Sequence, residues 1–270
     1  MIALDFLNRR ALDVYQLLPV LTLVLCLKVA PAAATEPHGP EHGLFSAVLT
    51  DHVHDGRVDY PAIKKDPRFS DYLSQIESAD TSAWSRAEQL AYWINVYNAQ
   101  TIRIICDRYP LKSMMNKAAY ALGRSLFQRK LIRLRGKKVS LNHIENNIVR
   151  PFGEPRVHFA LVCGARGCPP LRAEAYLGSR LDAQLSDQVQ RFLRQADKNR
   201  FDFSSQPPRA VLSPIFDWFK GDFEAHAPTI LAYIADYLPS DTSTLVRKNL
   251  SQIVINYTDY DWRLNDMQSP

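Results

Sequence analysis

Two thiols, an imidazole, three guanidinium groups and two glycines fall within the short run RVHFALVCGARGCPPLR, Arg156 to Arg172. The whole chain of 270 residues has only four cysteines and ten glycines. Thiolate chemistry needs a cysteine whose pKa is lowered by an imidazole, a cation or a helix N-terminus. His158, Arg166 and a helix opened by Pro169 as its first residue would supply all three. Gly164 and Gly167 would let backbone N–H groups approach an oxyanion. On this reading Cys163, leaving the end of a strand over 157–162, is the nucleophile and His158 its base. The pairing requires that strand to end near Val162, because residues five apart on one strand face opposite sides. Two other readings compete. Cys163 and Cys168 could close a small disulfide loop, or the pair could bind metal with His158, a set short of the four ligands of a structural zinc site.

The elements around this run must position it. Leu90, Trp93, Ile94, Tyr97, Ile102 and Ile105 recur at helical spacing, which predicts a long helix over Trp84–Tyr109, stopped by Pro110. Asn95 and Asn98 project from one side of it. They either brace neighbouring loops or orient a catalytic imidazole, as an Asn does in Cys-His-Asn hydrolases. Asn142 reads as a helix cap with Glu145 completing a capping-box-like pattern. Further helices are expected over 44–53, 67–78, 181–193 and 228–238. Residues 131–141 alternate as a hairpin with a Gly136-Lys137 turn, pairing Arg135 with Lys138 and Leu134 with Val139. Its outer face is basic. Two extended pieces over 201–213 complete a small, mostly antiparallel sheet with the hairpin and the 157–162 strand. The fold class is therefore α+β, a single domain with several helices around that sheet.

Four ordered stretches, AYWINVYNAQT, RVHFALVCGARGCPPLR, LSPIFDWFKGDF and YDWRLN, resemble the domain of unknown function 547 family, from about Ala91 to Asn265. The resemblance marks Asn95, Asn98, Glu145, Arg150, His158, Cys163, Cys168, Trp218, Asp222, Asp261 and Trp262. Where the family commonly has Ile-Glu-His, this chain has Ile144-Glu145-Asn146, which leaves His158 as the candidate base. By analogy, a Cys/His/Asn set suggests a papain-like arrangement, though fold does not fix function.

The first 34 residues read as a secretory signal: Arg9 and Arg10, an apolar stretch from Leu17 to Leu27, and Ala32-Ala33-Ala34 at the cleavage site. An uncleaved N-terminal anchor is the alternative. Residues 35–42 would be a loose leader and 43–270 the globular domain. Loss of Arg9, Arg10, Lys28, Asp5 and Asp13 lowers the net charge from +5 to +4, too mild an excess to argue for nucleic acid. The sequence therefore leads to an exported, periplasmic or secreted, thiol-dependent hydrolase of an amide or ester bond. Cys163, His158, Asn95, Asn98 and Glu145 would be catalytic, with Arg166, Cys168, Trp218, Asp222 and Asp261 meeting a small-molecule or peptide substrate. No cofactor or metal is called for. The alternative is a non-enzymatic binding protein whose Cys163–Cys168 disulfide is structural and whose basic hairpin face meets an anionic envelope surface.

Overall fold

The computed structural model describes residues 42–268 except 117, 119–121 and 124. The expected signal segment, 1–34, and residues 35–41 of the expected leader lie outside the described residues. His42, the last leader residue, is buried, with its Nδ1 2.7 Å from Tyr72 Oη. Among the described residues no helix is long and apolar enough to cross a membrane.

The organising element is the long helix α4, Arg86–Arg108. Ser85 and Glu88 start it with a reciprocal capping box, which satisfies two otherwise orphaned N–H donors. It is buried on most of its circumference because α1 (Gly43–His52), α2 (Tyr60–Lys65) and α3 (Pro67–Ser78) cover one side of the first apolar core. A second core is built from the C-terminal half of α7 (Leu181–Leu193), whose Leu181 and Leu185 stay in the first, with the short helices α8 (Ile215–Trp218), α9 (Lys220–Glu224), α10 (Ile230–Ala235) and α11 (Ser240–Lys248) and a three-stranded sheet. The four-residue helix α6, Val157–Ala160, joins the two: Val157 and Ala160 enter the first core, Phe159 the second.

The expected α+β class holds, with the strands in three small sheets. β1 (Val53–His54) pairs with β2 (Arg57–Val58), and β3 (Ile132–Leu134) with β4 (Lys137–Val139), both antiparallel. β5 (Arg200–Asp202) and β6 (Arg209–Leu212) form the expected 201–213 hairpin, and β7 (Val254–Tyr257) joins β6 in parallel.

Four local expectations are corrected. Residues 157–162 are not a strand. The run is apolar on all sides, so it carries no alternation to distinguish strand from buried helix. The N–H groups of His158, Phe159 and Leu161 close helical turns onto Pro155, Arg156 and Val157. No helix opens at Pro169. A residue before proline is pushed away from the helical region, and Pro169 precedes Pro170; the chain stays irregular until a single turn at Gly178–Arg180 leads into α7. The 131–141 hairpin turns at Arg135-Gly136, pairing Ile132 with Val139 and Leu134 with Lys137. Arg135 takes a left-handed conformation (φ 48°), held by its N–H to Glu77 O and its guanidinium to Ala79 O and Asp80. Finally, Ser140 and not Asn142 caps the helix α5 (Leu141–His143), accepting the His143 N–H. That helix runs on through a widened turn at Ile144–Val149, which frees Glu145 from any capping role.

The turn between β1 and β2, Asp55-Gly56, is left-handed at both residues, as two-residue hairpins require. A Cβ on Gly56 would lie 2.6 Å from Pro170 Cβ and 2.7 Å from its Cα. Gly56 is thus the surface on which the segment after Cys168 rests. Gly56→Ala is expected to destabilise the protein by about 2–4 kcal/mol, combining left-handed strain with overpacking. Urea unfolding measures it, and a loss below about 1 kcal/mol would show that Pro170 can yield.

Candidate active site

Cys163, Cys168, His158 and Glu145 line one pocket of about 460 Å³, walled by Phe127, Leu161, Trp218, Phe219, Tyr260 and Trp262. α4 supplies the bracing. Asn98 Nδ2 donates to Ala160 O at 2.9 Å, and its Oδ1 accepts the Val162 N–H at 2.8 Å, so this one amide ends α6 and turns the chain toward Cys163. Asn95 makes the same two-sided contact with both backbone groups of Tyr176. Both side-chain amides are therefore committed to backbone, and neither orients an imidazole. That contact falls to Asp222: its Oδ2 lies 2.8 Å from His158 Nε2. Arg150 grips the same carboxylate through Nε (2.8 Å) and Nη2 (2.9 Å). Phe219 stacks on the His158 ring, with centroids 3.8 Å apart.

Burial sets the charges. It pushes His158 down to about 4, against the upward pull of Asp222, so the imidazole is neutral at physiological pH. The Arg150 guanidinium, helped by His158, holds Asp222 at about 2 despite its partial burial. Glu145 moves the other way. Desolvation raises its pKa although Tyr97 Oη donates to Oε2 at 3.2 Å and Arg150 is close enough to pull it down. Two carboxyl groups driven apart in this way suit a proton donor and a permanent anion.

Cys163 and Cys168 are joined by a disulfide. The Cys163 N–H donates to Cys168 Sγ at 3.0 Å. Tyr260 Oη donates to Cys168 Sγ at 3.1 Å and lies 3.3 Å from Cys163 Sγ. The N–H groups of Arg166, Gly167 and Cys168 are spent on the carbonyls of Arg263, Asp261 and Ala165, so the expected oxyanion cradle serves instead to hold the C-terminal segment. A Cβ on Gly167 would sit 3.0 Å from the Tyr260 ring, which explains that glycine by close approach.

Trp218 is 49% exposed and packs with Tyr260 and Trp262 into an aromatic wall. Cys168 and Trp218 meet the pocket, and Asp222 stands behind His158. Arg166 and Asp261 do not belong to this group. They line a separate depression with Lys198 and Arg263, where Asp261 is paired to Arg263. No local pattern singles out Tyr260 or Tyr97 for the site, although both lie inside runs quoted above. Asn146, standing where a histidine is common, accepts from Arg150 Nη1.

Residues 81–193 match the model of the family described as "Protein of unknown function, DUF547". Over that span the chain is similar to DUF547 domains. No curated protein and no solved structure matches the chain. The DUF547 match carries Asn95, Asn98, Glu145, Arg150, His158 and both pocket cysteines. Trp218, Asp222, Tyr260 and Trp262 lie beyond it, so the DUF547 segment and the residues after it build the pocket together.

His158 provides a direct check. Its folded pKa lies below the ordinary 6.5, so it contributes stability above that value and loses it as pH falls toward about 4. NMR titration should find a neutral imidazole down to about pH 4. In Asp222→Asn the midpoint should drop further, because the hydrogen bond is weakened and Arg150 loses its counter-charge. A midpoint that rises would contradict this electrostatic picture.

Proposed function

We propose that the chain is an exported thiol-dependent hydrolase of an amide or ester bond, with Cys163 as nucleophile once the Cys163–Cys168 disulfide is reduced. The observation that carries this is the shared pocket of Cys163 and a buried, neutral His158 whose Nε2 is fixed by Asp222 and, through it, Arg150. With Nε2 committed, Nδ1 is the nitrogen that exchanges a proton. Cys163 Sγ attacks the carbonyl carbon as His158 takes the thiol proton. The leaving amine or alcohol departs with the proton that His158 took from the thiol. The acyl-thioester is then hydrolysed by water. The aromatic and aliphatic side chains that dominate the lining among the described residues favour a largely apolar acyl portion of a small molecule or peptide.

The rival reading, a binding protein, is favoured by the disulfide itself, which removes the nucleophile and staples the loop. Arg133, Lys137 and Lys138 remain exposed on the hairpin and would face an anionic surface.

Hydrolysis of a panel of p-nitrophenyl esters, measured with and without a dithiol reductant, separates the two. The hydrolase reading expects turnover only after reduction, its abolition in Cys163→Ser, and a loss on the order of 10²–10⁴ in Asp222→Asn. Equal rates in oxidised and reduced protein, or an unimpaired Cys163→Ser, would overturn it. The binding reading expects reduction to lower stability and charge reversal at Arg133 and Lys138 to weaken vesicle binding.

A further inference from the structure

The two sulfurs of the disulfide are not equivalent. Cys168 is 4% exposed, whereas Cys163 is half-buried, and both border the pocket. Cys168 Sγ accepts two hydrogen bonds, from the Cys163 N–H and from Tyr260 Oη. Lys198 Nζ lies 2.8 Å from the Cys168 carbonyl, which places an ammonium beside the same residue. Burial holds the Tyr260 phenol well above its ordinary pKa, so it remains a donor across the physiological range. Cys106, the other cysteine among the described residues, is free but buried in the first core, where its thiol is pushed up to about 12. It takes no part in exchange.

We infer that Cys163–Cys168 is a directional thiol–disulfide exchange site, in which an external thiol attacks Cys163 and Cys168 is the leaving group. The incoming thiolate approaches from the pocket and bonds to Cys163 Sγ. The S–S bond breaks, and its electron pair goes to Cys168 Sγ. The thiolate so formed is the better leaving group because two donors already point at it, and hydrogen bonds to an anion are stronger than to a neutral sulfur. A second equivalent of thiolate then attacks the reductant's own sulfur in the mixed disulfide. That S–S bond breaks with its electron pair going to Cys163 Sγ, the reductant leaves as its disulfide, and the two cysteine sulfurs take up the protons the incoming thiols gave to solvent. The reductant is a low-molecular-weight thiol or dithiol that fits the pocket mouth beside Trp218. This activity stands apart from hydrolysis and would persist if the hydrolase reading failed.

The test uses the full chain with glutathione as probe. The reaction is quenched in acid at early times, remaining thiols are alkylated, and peptides are mapped by mass spectrometry. The expected result is glutathione on Cys163 with Cys168 alkylated. Tyr260→Phe keeps the ring in the aromatic wall and removes one of the two donors, so it should slow the first step about tenfold. Glutathione found mainly on Cys168, an even split, no exchange, or an unchanged rate in a folded Tyr260→Phe protein would each overturn the proposal.

Discussion

The site depends on a backbone strap. Residues 261–265 lie along the 164–167 turn through three hydrogen bonds: Gly167 N–H to Asp261 O, Arg166 N–H to Arg263 O, and Asn265 N–H to Gly164 O. Met267 N–H and Asn265 O continue the contact onto Val58. Inside this strap Asn265 is buried and bonded to Tyr60 Oη, and buried Asp266 accepts from Tyr109 Oη. Unpaired backbone donors at a buried turn would be costly, so the turn and the strap require each other. One consequence is chemical. The strap fixes Tyr260 against both sulfurs and Trp262 against Trp218, so the pocket exists only when the end of the domain is docked.

Within that frame, burial is used in opposite senses on neighbouring groups. His158 and Glu145 are both pressed toward their neutral forms, whereas Asp222 is kept charged by the paired guanidinium of Arg150. The ion pair is partly exposed and makes two parallel hydrogen bonds, so its desolvation cost is modest. A pocket with an apolar wall, a carboxyl whose pKa burial raises and one fixed neutral imidazole is suited to proton transfer.

Much of this was legible in residue types and spacing. The long α4 and its paired asparagines follow from periodicity, and the density of thiols, imidazole and glycine in the central run points to the segment that brings His158, Cys163 and Cys168 to one pocket. The bracing role of Asn95 and Asn98 was one of two alternatives, because helical spacing says which side they share but not what backbone lies opposite. The capping reading of Glu145 fails locally. A capping pattern is a short-range signal, and Ser140, two residues before Asn142, takes the cap and leaves Glu145 to the pocket. The strand expected at 157–162 failed for a similar reason, since an apolar run without alternation fits either secondary structure. Tyr260 and the Arg150–Asp222–His158 chain depend on contacts 64 to 97 residues apart, which no local pattern encodes.

The central claim is that Cys163 forms a covalent bond with the substrate acyl group. It is tested most directly by mixing the reduced protein with a turned-over p-nitrophenyl ester, quenching in acid within one turnover, and locating the adduct by peptide mass spectrometry. The account predicts an acyl-thioester on Cys163 that forms and decays at the turnover rate and is absent from Cys163→Ser. Turnover with no adduct on Cys163, or with acylation confined to other residues, would contradict it.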